Sequence, residues 1–420
     1  MIETHTLNNG TDVTLLDQSG TDAVTILAIL PVGSRDETTE NLYGVSHFIE
    51  HMMLKGTEKR PSSMQISKEM DRLGAEYNAF TSKEYTGYYI KVASKHLPKA
   101  VGILSDLVYN SIFDPEEMKK EKSVIVEEIN MYEDNPRMDI QNVFERVIYK
   151  NSPLQHDIAG TRDSVKKFDR DDVLEYRDQH YQPDNMSIIC AGSIQDGKKD
   201  LEQQFGSQEN KNTDKEDKQA SFGPISKDDR YKVKQKDTDQ AQLMLGFPAY
   251  SIGDNKMPAL KILNNILGAN MSSRLFVNIR EKLGLAYSVR SGLANYSDVG
   301  HIYIKAGLDS ENLDKAIEEI KDTLRRIKTD GVEQKEFEDA KMNIDGKMKL
   351  KMEDSKSKAM WVGRRGVILG EFEAPEKYLE QIKDTDKQEV EQVARDLFDF
   401  DEMRMAAIGE IEAEAIEKHL

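Results

Sequence analysis

Cysteine is almost missing from this chain: Cys190 is the only one. An intramolecular disulfide is therefore excluded, and there are too few thiolates to build a cysteine-held zinc site. Long apolar runs are missing too. The longest, such as "AVTILAILPV" at 23–32, have the length of a strand and not of a membrane span. The opening "MIETHTLNNG" has no basic segment followed by an apolar one, so no secretory signal is expected. Together these absences point to a reducing, cytoplasmic setting. Positive charge is in deficit, with 58 Lys and Arg against 76 Asp and Glu and a formal charge of -18. Such a surface repels phosphate backbones and anionic lipid, so neither nucleic acid nor a membrane is an expected partner. Solubility or a salty habitat accounts for the charge, which also favours cationic ligands. With 38% hydrophobic and 32% charged residues, the composition is that of a soluble globular protein.

A chain of 420 residues is too long for one ordinary core and suggests two to three domains. "GSQENKNTDKEDKQASFG" at 206–223 is polar, charged and without apolar periodicity, and reads as a linker. It leaves an N-terminal domain at 1–205 and a C-terminal domain at 224–420. The two halves look alike. "LGAEYNAFTSKEYTGYYIKVASKHLPKAVGILSDLV" (73–108) and "LGLAYSVRSGLANYSDVGHIYIKAGLDSENLDKAIEEIKDTL" (283–324) share one order. Each has a Leu-Gly turn, an aromatic-rich alternating stretch and an amphipathic helix. Strand-like alternation opens each half, at 12–33 and 241–250, followed by a helix rich in Leu, Ile and Met. The expected fold is a duplicated α+β domain, each copy a mostly antiparallel sheet with helices packed on one side.

"VSHFIEHMMLKGT" at 45–57 holds the densest chemistry. His47 and His51 are one helical turn apart, so both rings point the same way and can meet one metal ion. Glu50 lies beside them, and Ser46 or Gly44 could start the helix. Val45, Phe48, Ile49 and Met52 form an apolar arc that the histidines flank. Two histidines at the edge of a core with an adjacent carboxylate suit a zinc site open to substrate. A pair of surface histidines next to an ordinary glutamate is the plain alternative. A catalytic zinc site keeps three protein ligands and one open position, so a third ligand is needed, and a carboxylate is the natural choice.

"FDPEEMKKEKSVIVEEINMYEDNPRMD" at 113–139 supplies candidates. Asp114 is a natural N-cap, Pro115 fits the first position, and Glu117 completes a capping box. The 100° step places Met118, Val124, Ile125, Ile129, Met131 and Tyr132 on one arc. Glu121 and Glu128 fall inside that arc, two turns apart, while Glu127 falls on its edge. Carboxylates in a core-facing stripe are costly unless paired or metal-bound. Glu128 is therefore the expected ligand, Glu121 a carboxylate that orients a histidine or the ligand itself, and Glu127 the fallback.

"HFIEHMMLKGT", "NAFTSKEYTGYY" and "EKSVIVEEI" resemble the signature of the inverted zinc-binding peptidases: pitrilysin, insulin-degrading enzyme and the mitochondrial processing peptidase. "HYQPDNMSIICAG" (180–192) and "RLFVNIREKLGLAYSV" (274–289) resemble further blocks of that family, so the resemblance covers nearly the whole chain. In length and texture the chain is most similar to bacterial relatives of the processing peptidase beta subunit. The resemblance implies one Zn2+ per chain on His47, His51 and Glu128, Glu50 as general base, and Glu121 as an accessory carboxylate. It implies that Arg280 and Tyr287 approach the substrate carbonyl, and that Asn78, Ala79 and Phe80 form an edge strand holding substrate extended. It also implies two homologous domains forming half of a clamshell, with a homodimer restoring the four domains that pitrilysin-like enzymes carry in one chain. The expected activity is endopeptidase hydrolysis of peptides or unfolded segments. The glycine-rich loop of the processing peptidase alpha subunit is absent at "LGANMSSRLF" (267–276), and the second half has no H-x-x-E-H. A catalytically silent structural or peptide-binding subunit of the same family is the alternative, against which the intact His47, Glu50, His51 and Glu128 argue. Manganese or cobalt in place of zinc stays open, because affinity order alone does not select the metal.

Other signals carry less. "WVGRRGVILG" (361–370) lacks the spacing of a phosphate-cradling loop. "DFDEMRM" (399–405) lacks a calcium-loop pattern. His5, His96, His156, His180, His301 and His419 are scattered, and the methionines read as core filler.

Overall fold

The structure, a computed structural model, describes residues 2–18, 20–194, 197–210 and 227–420. Residues 211–223 of the expected linker lie outside the described residues. The first sheet has the order β1 (Ile2–Thr6), β2 (Asp12–Asp17), β6 (Ser187–Gly192), β3 (Ala23–Leu30), β5 (Thr86–Ala93), β4 (Glu76–Thr81). The second has the order β7 (Tyr231–Gln235), β11 (Arg404–Gly409), β8 (Ala241–Ala249), β10 (Gly300–Leu308), β9 (Ala286–Asn295). One pairing in each is parallel, β2 with β6 and β7 with β11, and the rest are antiparallel. Removing β1 leaves one topology used twice. The Leu-Gly turns read from the sequence fall at matching points: Gly74 and Gly284 both have positive φ, and β4 and β9 follow them as edge strands. The duplicated, mostly antiparallel α+β fold is therefore present.

Helices cover both faces of each sheet, which differs from the one-sided arrangement expected. The strands show why. β3 and β6 are buried along almost their whole length and do not alternate, so each needs cover above and below. Val24, Ile26, Ala28 and Leu30 join a core with the helices α1 (Val45–Met53), α2 (Ser63–Leu73) and α3 (Leu97–Asn110). Leu27, Ile29, Ile189 and Ala191 face the other way, onto Ala359 and Val362 of the helix Ser355–Leu369. "WVGRRGVILG" is thus mostly helix, and its Gly363 lets the helix approach Leu27 and Ile189 closely. In the second sheet Leu243, Leu245 and Phe247 face one core, while Met244, Ala406 and Ile408 pack on Ile140, Val143 and Phe144. Those last three belong to α5 (Pro136–Ile148), which follows α4 (Pro115–Asp134).

The compact units accordingly depart from a single cut near 206–223. Unit 1 comprises Met1–Ile129, His156–Lys218 and Lys349–Pro375; unit 2 comprises Asn130–Gln155, Gln219–Met348 and Glu376–Leu420. Each half of the sequence contributes one helix to the sheet built mainly from the other half. No helix among the described residues is long and apolar enough to cross a membrane.

Candidate metal centre

α1 is held at its start by a buried carboxyl group. Gly44 precedes the helix at φ +92, where a Cβ would lie 2.5 Å from the carbonyl oxygen of Ala159. Only glycine fits both the left-handed backbone and that gap. The Gly44 and Ser46 N–H groups donate to Glu37 at 2.7 and 2.9 Å, so Glu37 satisfies helix-start donors that would otherwise be orphaned. Full burial pushes Glu37 up to about 8, opposed by those two N–H donors. Val45, Phe48, Ile49 and Met52 are fully buried as the helical wheel requires, and Phe48 meets Phe168 edge-on.

This anchored helix presents His47 and His51 side by side, their Nε2 atoms 3.2 Å apart. Glu128 of α4 places a carboxylate oxygen 3.8 Å from the first and 3.7 Å from the second. Ligand atoms of a tetrahedral zinc with bonds of about 2.0–2.2 Å lie about 3.3–3.6 Å apart. The three residues therefore fit one zinc ion, and they form a group whose ligand atoms all lie within 4.8 Å of one another. Burial, then the neighbouring His51, pushes His47 down to about 3, so its ring is neutral, as a ligand must be.

Glu121 lies one layer behind. Its Oε1 is 2.7 Å from His51 Nδ1 and its Oε2 is 2.6 Å from the Lys55 amine. Burial raises this carboxyl, but the His51 and Lys55 hydrogen bonds and the Lys55 charge outweigh it and hold Glu121 below its ordinary value. Burial likewise depresses His51, and the Glu121 bond with the surrounding carboxylates outweighs it, so His51 stands above the usual imidazole value. Glu50 is raised by burial, against a 2.6 Å hydrogen bond donated by the Thr81 hydroxyl.

α4 corrects the sequence reading in part. Met118, Glu121, Ile125 and Ile129 are buried, whereas Val124 and Met131 are 49% and 53% exposed. The buried face follows 3-4-4 spacing from Met118, and these two lie one step round from it. Glu128 is partly buried at the metal group while Glu127 is exposed, so the fallback ligand is not needed. Asp114 caps the helix through the Glu116 and Glu117 N–H groups.

Asn78, Ala79 and Phe80 lie on β4, the sheet edge, directly before Thr81. Beside Glu50 and His51 opens a cleft of about 320 Å³, also lined by Leu54, Ile66, Tyr77 and Asn78. Sequence reasoning missed Thr81, Lys55 and Glu37. Lys55 is one turn beyond His51 and its spacing could have drawn attention; Thr81 and Glu37 meet the site only through tertiary folding. Arg280 and Tyr287 belong to unit 2, Arg280 in the π-helical turn Phe276–Lys282 and Tyr287 on β9, 69% exposed.

Two α+β units of one topology, one bearing a His-His-Glu group that fits a metal ion, with Glu50 and an open cleft beside it, define the class of fold and site. The comparisons place the chain within it. Residues 13–162 match the family model described as insulinase (peptidase family M16), and residues 167–344 match the peptidase M16 inactive domain. An uncharacterized zinc protease, YmxG, of Bacillus subtilis is 37% identical over 95% of this chain and 96% of its own. An uncharacterized zinc protease of Rickettsia bellii is 33% identical over 93% of this chain and 94% of its own. This chain belongs to the insulinase family, peptidase family M16. Among solved structures, a protease from Helicobacter pylori superposes with a TM-score of 0.89 at 23% identity, covering 97% of this chain and 99% of that one. A peptidase M16 inactive domain from Pseudomonas fluorescens gives 0.90 at 18% identity, covering 98% of each. These two show the shared fold.

Proposed function

We propose that this protein is a zinc-dependent endopeptidase that hydrolyses peptides or unfolded segments held in extended form. The observation that carries this reading is the His47, His51 and Glu128 triangle with Glu50 on the same helix turn as the histidines. Zinc, when bound there, supplies a Lewis acid and a water whose pKa is brought towards neutrality. Glu50 takes the proton from the attacking water and returns it to the leaving amine. The Thr81 hydroxyl holds the Glu50 carboxylate at Oε2 and fixes its aim. Glu121 keeps His51 in one orientation and tautomer. The β4 edge offers unpaired backbone groups to an extended peptide, which makes binding tolerant of sequence. Tyr287 and Arg280 donate to the substrate oxyanion in this reading, a role supported by resemblance. The match named as an inactive domain spans residues 167–344 and leaves the ligand-bearing segments 47–51 and 121–128 outside it.

The same reading places the enzyme in the cytoplasm, supported by the single, fully buried Cys190, and pairs two chains as a homodimer. The deciding experiment measures bound zinc and cleavage of a quenched, unstructured peptide on native protein and Glu50→Gln. About one zinc per chain in both, with turnover in the native form alone, is expected. Equal cleavage by Glu50→Gln removes the assigned base; zinc without cleavage in either favours the silent, peptide-binding alternative.

A further inference from the structure

Unit 2 carries three cations gathered without a counter-charge. Lys305 on β10 is directly opposite Arg290 on β9, which puts both side chains on one face of the sheet. The Lys305 amine donates to the backbone carbonyl of Arg137, in the first turn of α5. Like charges directly opposite each other on a sheet are destabilising. The charged groups acting on Lys305 are Arg290 and Arg137, both cations; burial, then these two, pushes the lysine down to about 8. Among the described residues no carboxylate pairs with any of the three. The acid nearest Arg137 along α5, Asp139, is buried and committed to Lys234 at 2.6 Å. Lack of acids is no explanation, since the chain has 76 of them.

Such a cluster in a chain of charge -18 is uncompensated until an anion arrives. Arg290 and Arg137 are exposed and Lys305 is half-buried, so the site is open to solvent. A planar carboxylate suits a guanidinium fork and gains a second charge from the lysine. A polyanion is opposed by the field of the whole molecule. We propose that Arg137, Arg290 and Lys305 form an anion site that binds a carboxylate of a peptide ligand. The site rests on the geometry of unit 2; naming a peptide as its source rests on the peptidase reading.

The test is fluorescence anisotropy on full-length Glu50→Gln protein with zinc, so that nothing need be cleaved. Three labelled peptides are compared: one with internal glutamates and an amidated end, one with glutamines and an amidated end, and one with glutamines and a free terminal carboxylate. A carboxylate-bearing peptide should bind roughly 3- to 10-fold more tightly than the uncharged one, the range expected of one or two partly exposed charge pairs. Whichever of the two holds the advantage identifies an acidic side chain or a chain end as the source. Arg290→Gln should narrow the gap, Arg290→Glu should abolish or invert it, and Lys305→Arg should keep it. Equal binding of all three peptides, or a preference unchanged in Arg290→Glu, would overturn the proposal. The peptidase reading is judged separately, by hydrolysis with native protein, so the two can fail independently.

Discussion

Glu121 is the residue on which the orientation of His51 turns. His51 Nδ1 is tied to it at 2.7 Å, whereas His47 Nδ1 is buried with no partner among the described residues. Replacing Glu121 by Gln keeps the shape but removes the charge and offers Lys55 no ionised partner. Loss of a partner behind a metal ligand typically costs roughly 10- to 100-fold in metal affinity. Competition titration of zinc against a chelator should show a loss of that size in Glu121→Gln, with the fold intact. An unchanged affinity would mean that Glu121 serves packing alone. Much of this was legible beforehand: the i, i+4 histidines and the carboxylates two turns apart on α4 declare themselves by spacing. Thr81 was not, because its bond to Glu50 links β4 to α1 and no local period records it. Val124 and Met131 misled for a related reason, since apolarity alone cannot say which of two adjoining helix faces is covered.

At the scale of elements, α1 is fixed by what precedes it. Gly44→Ala would place a Cβ 2.5 Å from the Ala159 carbonyl oxygen and force a left-handed backbone on alanine. The left-handed conformation alone costs about 1–2 kcal/mol, and the clash adds to it. Thermal denaturation should show that loss, accompanied by weaker zinc binding because both histidines ride on the displaced helix. Full stability would show that the turn can rebuild. In unit 2 the packing of α5 on its sheet encloses His301, whose Nδ1 is 2.7 Å from the Tyr149 hydroxyl and whose ring lies among Phe144, Tyr149 and Tyr303. Burial lowers this histidine from 6.5 to about 4. Between those values the unfolded chain binds the extra proton and the folded one does not, so stability falls as pH drops through that window. The slope approaches about 1.4 kcal/mol per pH unit. His301→Phe should lose less stability than native protein between pH 6.5 and pH 4, whatever its stability at pH 7. Parallel curves would show that another group carries the acid sensitivity. The helix exchange that encloses His301 was hidden in the sequence. β3, β6, β8 and β11 are buried along most or all of their length, but nothing local in the sequence says which distant helix covers them.

For the whole molecule, the metal group and its support have a consequence that separates the two units. His47, His51, Glu121 and Glu128 all lie within Met1–Ile129, in unit 1. A ligand that binds only the folded form stabilises it by about 2.7 kcal/mol at a free concentration one hundred times its dissociation constant. That stabilisation acts first on the segments whose opening releases the ion. Hydrogen exchange with and without chelator should therefore change most at 45–55 and 115–129, and least in β8, β9 and β10. The duplication makes the comparison internal, because the second sheet repeats the topology of the first without its H-x-x-E-H. Protection lost equally in both units would show that they open as one cooperative body. Protection lost in neither would mean that His47, His51 and Glu128 hold no ion under the conditions of the experiment, and the peptidase reading would fall with it.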